Sequence, residues 1–294
     1  MNLKGCYVAI TTPFTDKGLV DEDTLRKHVD FIISKGIAGI VPCGTTGESA
    51  TLSWEEHNAI VDITIDQAKG KVQVIAGAGS NNTVESIAAA RHAQKSGADA
   101  ILSITPYYNK PTQEGLYQHF KSIATQVDIP IVVYNVPGRT GVNLQPETLE
   151  RLCEFSTIVA IKEASGNIGQ ISEIHRRCGD RLSILSGDDA LTLPILALGG
   201  TGVISVVSNI VPDRMCSMID AFFRADLTTA LKIHEELLEL SNSMFIETNP
   251  IPVKTALKLM GMSTGFFRLP LVEMTERNKL LLVNVLKKYN LIGE

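Results

Sequence analysis

The chain has 294 residues, of which 44% are hydrophobic and 20% are charged, and its formal net charge is −5. This length accommodates one large domain or two ordinary ones with a sizeable core. The absence of a basic block argues against nucleic acid or an anionic membrane surface as a partner. No apolar run approaches the ~20 residues that a membrane span needs, and no secretory signal is evident at the N-terminus.

Short apolar runs typical of buried strands recur along the chain, and a segment of helical character follows each of them. Eight runs are predicted as strands, at residues 7–11, 37–42, 72–76, 100–104, 130–134, 158–161, 182–186 and 203–207. Eight strand–helix units predict an α/β protein with the (β/α)₈ TIM-barrel fold. An open doubly wound sheet is the alternative, but no G-x-G-x-x-G follows the first strand.

The pattern changes after about residue 225, where only helices are predicted. They span residues 227–244, 253–260 and 276–289. No stretch of low complexity separates this part from the rest. We therefore predict a catalytic barrel over residues 1–225 and a C-terminal helical extension, residues 226–294, that packs on the barrel.

The five cysteines are scattered, odd in number and without a C-x-x-C pair. This usage favours reduced thiols in a cytoplasmic protein over disulfides or a zinc site. The six histidines show no H-E-x-x-H spacing, so a metal enzyme is not expected.

Chemistry in a barrel of this kind belongs at the carboxyl ends of the strands, where eight loops converge on one mouth. Small, polar and aromatic residues stand at those ends: Thr11, Thr12, residues 44–49 (GTTGES), Tyr107, Tyr108, Tyr134, Arg139, Lys162, Ser186 and Gly187. The glycine-rich residues 199–202 precede strand eight and so belong at the opposite rim, where no phosphate site is expected. Cys43 is a possible nucleophile, but no partner histidine is identifiable, and a core thiol is the safer interpretation.

Lys162 follows a buried β-branched run at residues 158–161, and long cations are seldom buried without reason. Burial favours the neutral form of an amine, which can attack a carbonyl carbon to form a Schiff base. The alternative is a lysine that reaches solvent or pairs with Glu163. Tyr134 could relay protons beside it, or it could be a core tyrosine.

The GTTGES segment has glycines that let the backbone approach a ligand, and hydroxyls and amides suited to a small carboxylate. The alternative is an ordinary turn into a helix, with Glu48 as a favourable charge near the helix start.

These residues resemble the dihydrodipicolinate synthase family of the pyruvate-dependent class I aldolases and lyases. The resemblance spans nearly the whole chain and rests on GTTGE at 44–48, TPYYNKP at 105–111, YNVPGRTG at 134–141, IKEASG at 161–166, SGDD at 186–189, GVIS at 202–205 and NPIPVK at 249–254. It implies condensation of pyruvate with L-aspartate 4-semialdehyde, in lysine biosynthesis by the diaminopimelate route. It implies no metal or organic cofactor.

The resemblance also assigns roles to individual residues. Lys162 corresponds to the Schiff-base lysine and Tyr134 to the proton-relaying tyrosine. Thr45 and Tyr108 correspond to the other relay members, Tyr108 entering from a neighbouring subunit of a homotetramer built as a dimer of dimers. Thr46 and Ile204 correspond to residues that contact pyruvate. Arg139 corresponds to the arginine that binds the carboxylate of the second substrate.

Two other functions stay open. An N-acetylneuraminate lyase would use the same lysine and tyrosine on another second substrate, but such enzymes lack the G-R-T that stands here at residues 138–140. A sensor barrel would bind pyruvate-like ligands without turnover.

Many family members are inhibited by L-lysine, which they bind at the tight dimer interface. The matching residues are Ser49, Ala50, His57, Asn81, Glu85 and Tyr107. Glu85 could instead belong to a helix capping box with Asn82. This sequence also has Trp54 where lysine-sensitive relatives often carry histidine, so part of the pocket is altered.

Overall fold

The computed structural model describes residues 3–293 and contains a closed barrel of eight parallel strands in sequence order. The strands are β1 Gly5–Ala9, β2 Gly39–Val41, β3 Gln73–Gly77, β4 Ala100–Ile104, β5 Ile131–Asn135, β6 Ile158–Glu163, β7 Ser183–Ser186 and β8 Gly202–Ser205. The predicted (β/α)₈ barrel is confirmed, with all eight strands present. Predicted and observed strand bounds differ by no more than two residues.

Helices follow each strand and surround the barrel. They are α1 Glu22–Ile33, α2 Trp54–Ala68, α3 Thr83–Ser96, α4 Gln113–Ala124, α5 Pro137–Thr140, α6 Pro146–Leu152, α7 Ile168–Cys178, α8 Thr192–Ala197, α9 Pro212–Phe223, α10 Leu227–Ser243, α11 Ile251–Leu259 and α12 Glu276–Lys288. Helix α11 begins two residues earlier than predicted, because Pro252 lies in its first turn, where proline is tolerated. Among the described residues, no helix has the length and apolar composition needed to cross a membrane.

Alternation along each strand divides the barrel core into two layers. In β5, Ile131 and Val133 face outward and pack with the surrounding helices, whereas Val132 and Tyr134 point into the barrel. The inward layer also contains Ile204 of β8. Side chains along a strand alternate with a period of two. Tyr134, two residues after Val132, therefore points to the same inner face of the barrel. This geometry places Tyr134 at the carboxyl end of β5.

The helices after the barrel form a further apolar cluster with it. Residues of α9, α10, α11 and α12 meet there, among them Met215, Leu240, Leu257 and Leu282. The cluster reaches β8 through Val203, so the C-terminal helices pack on the barrel. The division at residues 225 and 226 stays a prediction.

Candidate active site

Lys162 and Tyr134 lie side by side at the mouth of the barrel. Strands β5 and β6 pair in parallel, with Tyr134 opposite Lys162. The amine Nζ of Lys162 lies 4.3 Å from the centroid of the Tyr134 ring. Lys162 is only 6% exposed, and both residues line a cavity of about 150 Å³. The sequence-based expectation of a buried lysine beside the strand-five tyrosine is confirmed.

Glu163 does not pair with Lys162, so that alternative interpretation of the lysine is wrong. Successive strand residues point to opposite faces, and the Glu163 carboxylate lies outside the barrel lumen. There it accepts hydrogen bonds from Asn135 Nδ2 at 3.1 Å and from the backbone N–H of Ser165 at 2.7 Å. Burial raises the pKa of Glu163, and these hydrogen bonds oppose the shift. The Lys162 amine therefore faces the cavity without this carboxylate.

Two adjoining cavities make up the site. The smaller one contains Lys162, and the larger one, of about 450 Å³, extends from it along the loop that follows β2. Four residues line both cavities: Thr45, Tyr134, Arg139 and Asn249. Thr46 lines the smaller cavity. The structure thus brings together five of the seven residues expected at the active site, namely Lys162, Tyr134, Thr45, Thr46 and Arg139.

The other two expected residues lie apart from these cavities. Ile204 is fully buried in the barrel interior, in one apolar cluster with Tyr134. Tyr108 is 90% exposed, with a left-handed backbone (φ 72°). Neither residue belongs to the lining of the two cavities. Tyr108 therefore lies apart from the Lys162 cavity of its own chain, and its role in a neighbouring subunit stays a prediction.

The GTTGES loop is a tight turn rather than a direct entry into a helix. Gly47 N donates to Gly44 O at 3.1 Å, and Glu48 N donates to Thr45 O at 3.1 Å. A short 3₁₀ turn at Ser49–Thr51 follows, and α2 begins only at Trp54. The interpretation of Glu48 as a charge near a helix start is wrong, because its carboxylate is buried and paired with Lys254 of α11.

Sequence reasoning missed the part that residues 248–254 play at the mouth. Asn249 Nδ2 donates to Thr46 Oγ1 at 3.0 Å, and Arg139 Nη2 donates to Asn249 O at 3.2 Å. Asn249 belongs to a family motif, NPIPVK, but its position after the barrel gave no local sign of a contact with residue 46. The Glu48–Lys254 pair could not be predicted from local sequence either, since its members are 206 residues apart.

The residues expected to bind an effector divide into two groups. Ser49, Ala50 and Tyr107 line the larger cavity, and the other three do not. Asn81 still contacts this set, because its Nδ2 donates to Tyr107 O at 3.1 Å. His57 is buried against Trp54, with ring centroids 5.2 Å apart, and burial lowers the pKa of its imidazole.

Glu85 does not form the capping box that its spacing allows. Asn82 caps α3 by accepting from the backbone N–H of Val84 at 3.0 Å. The Glu85 carboxylate instead accepts from Ser80 Oγ at 2.6 Å. Capping of α3 therefore does not explain why residue 85 carries a carboxylate.

Two further sequence interpretations concern Cys43 and the glycine-rich segment. Cys43 is buried, and burial raises the pKa of its thiol, as expected of a core cysteine rather than a nucleophile. The five cysteines are free thiols. Gly199 and Gly200 precede β8, which begins at Gly202, so the segment lies at the rim opposite Lys162.

Comparison with known proteins shows similarity to one family over nearly the whole chain. The model of the dihydrodipicolinate synthetase family matches residues 2–289. A 4-hydroxy-tetrahydrodipicolinate synthase from Pelobacter propionicus is 54% identical over 98% of this chain and 99% of the relative.

Two solved structures are similar over their whole length. One is a chloride-inhibited dihydrodipicolinate synthase from Acinetobacter baumannii complexed with pyruvate, with 43% identity and a TM-score of 0.96 over 99% of this chain and all of that one. The other is the enzyme from Cyanidioschyzon merolae with lysine bound, with 41% identity and a TM-score of 0.95 over 98% of this chain and 99% of that one. The resemblance noted in the sequence is confirmed, and the chain belongs to the dihydrodipicolinate synthetase family, whose members are Schiff-base-forming lyases.

Proposed function

We propose that the chain is a 4-hydroxy-tetrahydrodipicolinate synthase that condenses pyruvate with L-aspartate 4-semialdehyde in the diaminopimelate route to lysine. One observation carries the proposal: the nearly buried amine of Lys162 faces a small polar cavity and lies against the ring of Tyr134. A buried primary amine in such a cavity is suited to covalent catalysis on a ketone. The synthases that share about half of its sequence support the same reaction.

Schiff-base formation begins when the Lys162 amine adds to the ketone carbon of pyruvate. The resulting carbinolamine loses water and leaves a protonated imine on Nζ. The phenol of Tyr134, whose ring lies against the Lys162 amine, can pass protons to and from the departing oxygen, and Thr45 lines the same cavity. The Thr46 side chain and the backbone of the GTTGES turn are available to hold the pyruvate carboxylate.

The imine then acts as an electron sink, so the former methyl group loses a proton and becomes an enamine. The enamine carbon attacks the aldehyde of the second substrate and makes a new carbon–carbon bond. The amino group of that substrate next attacks the imine carbon, which closes the ring and releases Lys162. Arg139 lines both cavities, and its guanidinium can bind the second substrate's carboxylate in two-point fashion.

Arg139 also favours the synthase over an N-acetylneuraminate lyase. The residue stands on the short helix α5, where the backbone carbonyl of Asn249 accepts from its Nη2. A guanidinium held in this way suits a small substrate with a carboxylate close to its aldehyde. The presence of Lys162 and Tyr134 in contact likewise argues against a sensor without turnover.

The assembly that we propose is a homotetramer made of two tight dimers, with Tyr107 and Tyr108 at the tight interface. The exposure of Tyr108 supports this, since a partner subunit would cover its ring. The loop is held in place by hydrogen bonds that join it to Asn81, from Asn81 Nδ2 to Tyr107 O and from Asn109 Nδ2 to Asn81 O. Tyr108 would then complete the relay of the partner's Lys162.

Inhibition by L-lysine is the last part of the proposal. The larger cavity joins Ser49, Ala50 and Tyr107 to the catalytic residues, so an effector there would adjoin the active site. A related enzyme binds lysine. Glu85 can pair with an ammonium group, whereas the half-exposed Trp54 packs against His57 and lies outside the lining of the larger cavity.

The experiment that tests the proposed function runs two assays, condensation of pyruvate with aspartate semialdehyde and cleavage of N-acetylneuraminate. Formation of the heterocyclic product from aspartate semialdehyde, with no cleavage of N-acetylneuraminate, is the expected result. Cleavage of N-acetylneuraminate without use of aspartate semialdehyde would assign the chain to the lyases. Pyruvate binding without turnover of either compound would indicate a sensor barrel instead of an enzyme.

A further inference from the structure

We propose that Lys254 is a positioning residue that acts through Glu48 to hold the Thr45 hydroxyl in the active site. The inference rests on the proposed function, because it takes Thr45 as a member of the proton relay. It gives the C-terminal helices a part in catalysis beyond covering apolar surface.

The first observation is the depth of the ion pair. The side chains of Lys254 and Glu48 are 1% and 0% exposed, and the ammonium also lies 4.3 Å from the centroid of the Phe14 ring. Burial lowers the pKa of Lys254, and the Glu48 carboxylate opposes that shift. A buried charge that loses its partner is strongly unfavourable, so each member of the pair fixes the place of the other.

The second observation is the route from this pair to Thr45. The backbone N–H of Glu48 donates to the carbonyl of Thr45 at 3.1 Å and closes the turn. A carboxylate held by α11 therefore holds the backbone of Thr45 through one hydrogen bond. Thr46, between them, is tied to the same C-terminal segment by Asn249. Thr46 and Glu48 are thus both bound by residues of the C-terminal segment. This fixes the turn in the conformation in which Thr45 lines both cavities.

The third observation is the conformation that the pair maintains. Glu48 has a left-handed backbone, with φ 54°, and Cys43 at the start of the loop has φ 55°. Such conformations are unfavourable for residues other than glycine and persist only where the surroundings hold them. Without the ion pair, relaxation of Glu48 to an ordinary conformation would break the turn and displace Thr45.

The test is a double-mutant cycle in kcat with the full-length enzyme. Thr45→Val should lower kcat roughly 100-fold, as loss of a proton-transfer group does, and Lys254→Met should lower it at least tenfold. Because Lys254 acts through Thr45, the combined variant should have a kcat within about twofold of Thr45→Val alone. Losses that multiply would overturn the proposal, as would a Lys254→Met enzyme with kcat within twofold of wild type.

A second comparison separates positioning from general stability. The variant Glu48→Gln/Lys254→Met leaves no unpaired buried charge, so its Tm should rise above that of Lys254→Met while its kcat stays as low. Recovery of kcat together with Tm would show that the pair acts only on stability, and the proposal would fail. This variant also serves if Lys254→Met alone does not fold.

The matched control is Lys258→Met, the same change one turn later on α11. Lys258 pairs with Glu273 in an exposed position, at 3.0 Å, and its removal should leave kcat unchanged. Borohydride trapping of pyruvate on wild-type Lys162 tests the proposed function independently. Trapping there together with multiplying losses in the cycle would refute the positioning role and leave the proposed function standing.

Discussion

Tyr134 and Lys162 occupy opposite positions in the register of β5 and β6, and the next pair along the strands is Asn135 and Glu163. The inner pair forms the reactive part of the cavity, and the outer pair is joined by the hydrogen bond from Asn135 Nδ2 to the Glu163 carboxylate. The register between the strands shifts at Ile131 and Val132. The outer hydrogen bond therefore fixes the register at the end where the inner pair lies.

The buried carboxyl of Glu163 should make stability depend on pH. Its pKa is raised above the usual 4.5 by burial, so the folded state holds this proton more tightly than the unfolded state. The resulting stabilisation is complete below about pH 4 and is lost as pH rises through the folded pKa. Compared with Glu163→Gln, which does not titrate, the wild type should lose about 1.4 kcal/mol for each unit by which its pKa is raised.

Urea unfolding of both proteins between pH 4 and 8, at one protein concentration, measures this difference. Asp189, whose pKa is also raised by burial, is present in both proteins and cancels. A free-energy difference between the two that stays constant with pH would contradict the prediction.

Arg139→Ala should impair the second half-reaction and spare the first. A hydrogen-bonded charge of this kind contributes about 1.5–3 kcal/mol, so kcat/KM for aspartate semialdehyde should fall roughly 10- to 100-fold. Imine formation with pyruvate should proceed at close to the wild-type rate. Steady-state rates and single-turnover borohydride trapping measure the two steps, and an equal loss in both would assign Arg139 a structural role in α5.

Activity should depend on assembly, because Tyr108 lies outside the cavities of its own chain. Tyr108→Phe should lower kcat by roughly 100-fold, as loss of a relay hydroxyl does, without changing the state of assembly measured by sedimentation. A monomer with full activity in the same experiment would show that Tyr108 has no part in a partner's site.

L-Lysine should inhibit the wild type at millimolar concentration, and Glu85→Ala should weaken that inhibition at least tenfold. The reason is that the Glu85 carboxylate can pair with the ammonium group of the ligand. Initial rates at saturating pyruvate across a lysine titration measure the effect. Ser80→Ala is the matched control, because it removes the hydroxyl that Glu85 accepts from and leaves the carboxylate.

Either of two results would count against this effector site. A wild type that is not inhibited at millimolar lysine would exclude regulation of this kind. Inhibition of equal strength in Glu85→Ala would place the effector elsewhere.

The barrel could be predicted because its signals are local. The apolar runs that end at Tyr134 and just before Lys162 have the length of a strand, and polar residues follow each run at the same end. The contact between these two residues then follows from the order of the strands. The resemblance to a family supplied the roles of Thr45 and Arg139, which no periodicity indicates.

What could not be predicted depends on contacts distant in sequence. Glu48 stands where a helix start is expected, and only the folded chain brings Lys254 to it. Asn249 likewise meets Thr46 because α10 and α11 return the chain to the mouth of the barrel. Glu85 shows that a local pattern can also mislead. Its spacing from Asn82 fits a capping box, but its carboxylate accepts a hydrogen bond from Ser80 instead.

The central claim is that Lys162 is the residue that binds pyruvate covalently. Incubation with pyruvate and borohydride, followed by mass spectrometry of the peptides, should find one reduced adduct, on Lys162, and Lys162→Ala should abolish it. Lys254 is the internal control, because it is as deeply buried but its ammonium is paired with Glu48. A full-strength adduct in Lys162→Ala, or an adduct on Lys254, would contradict the account.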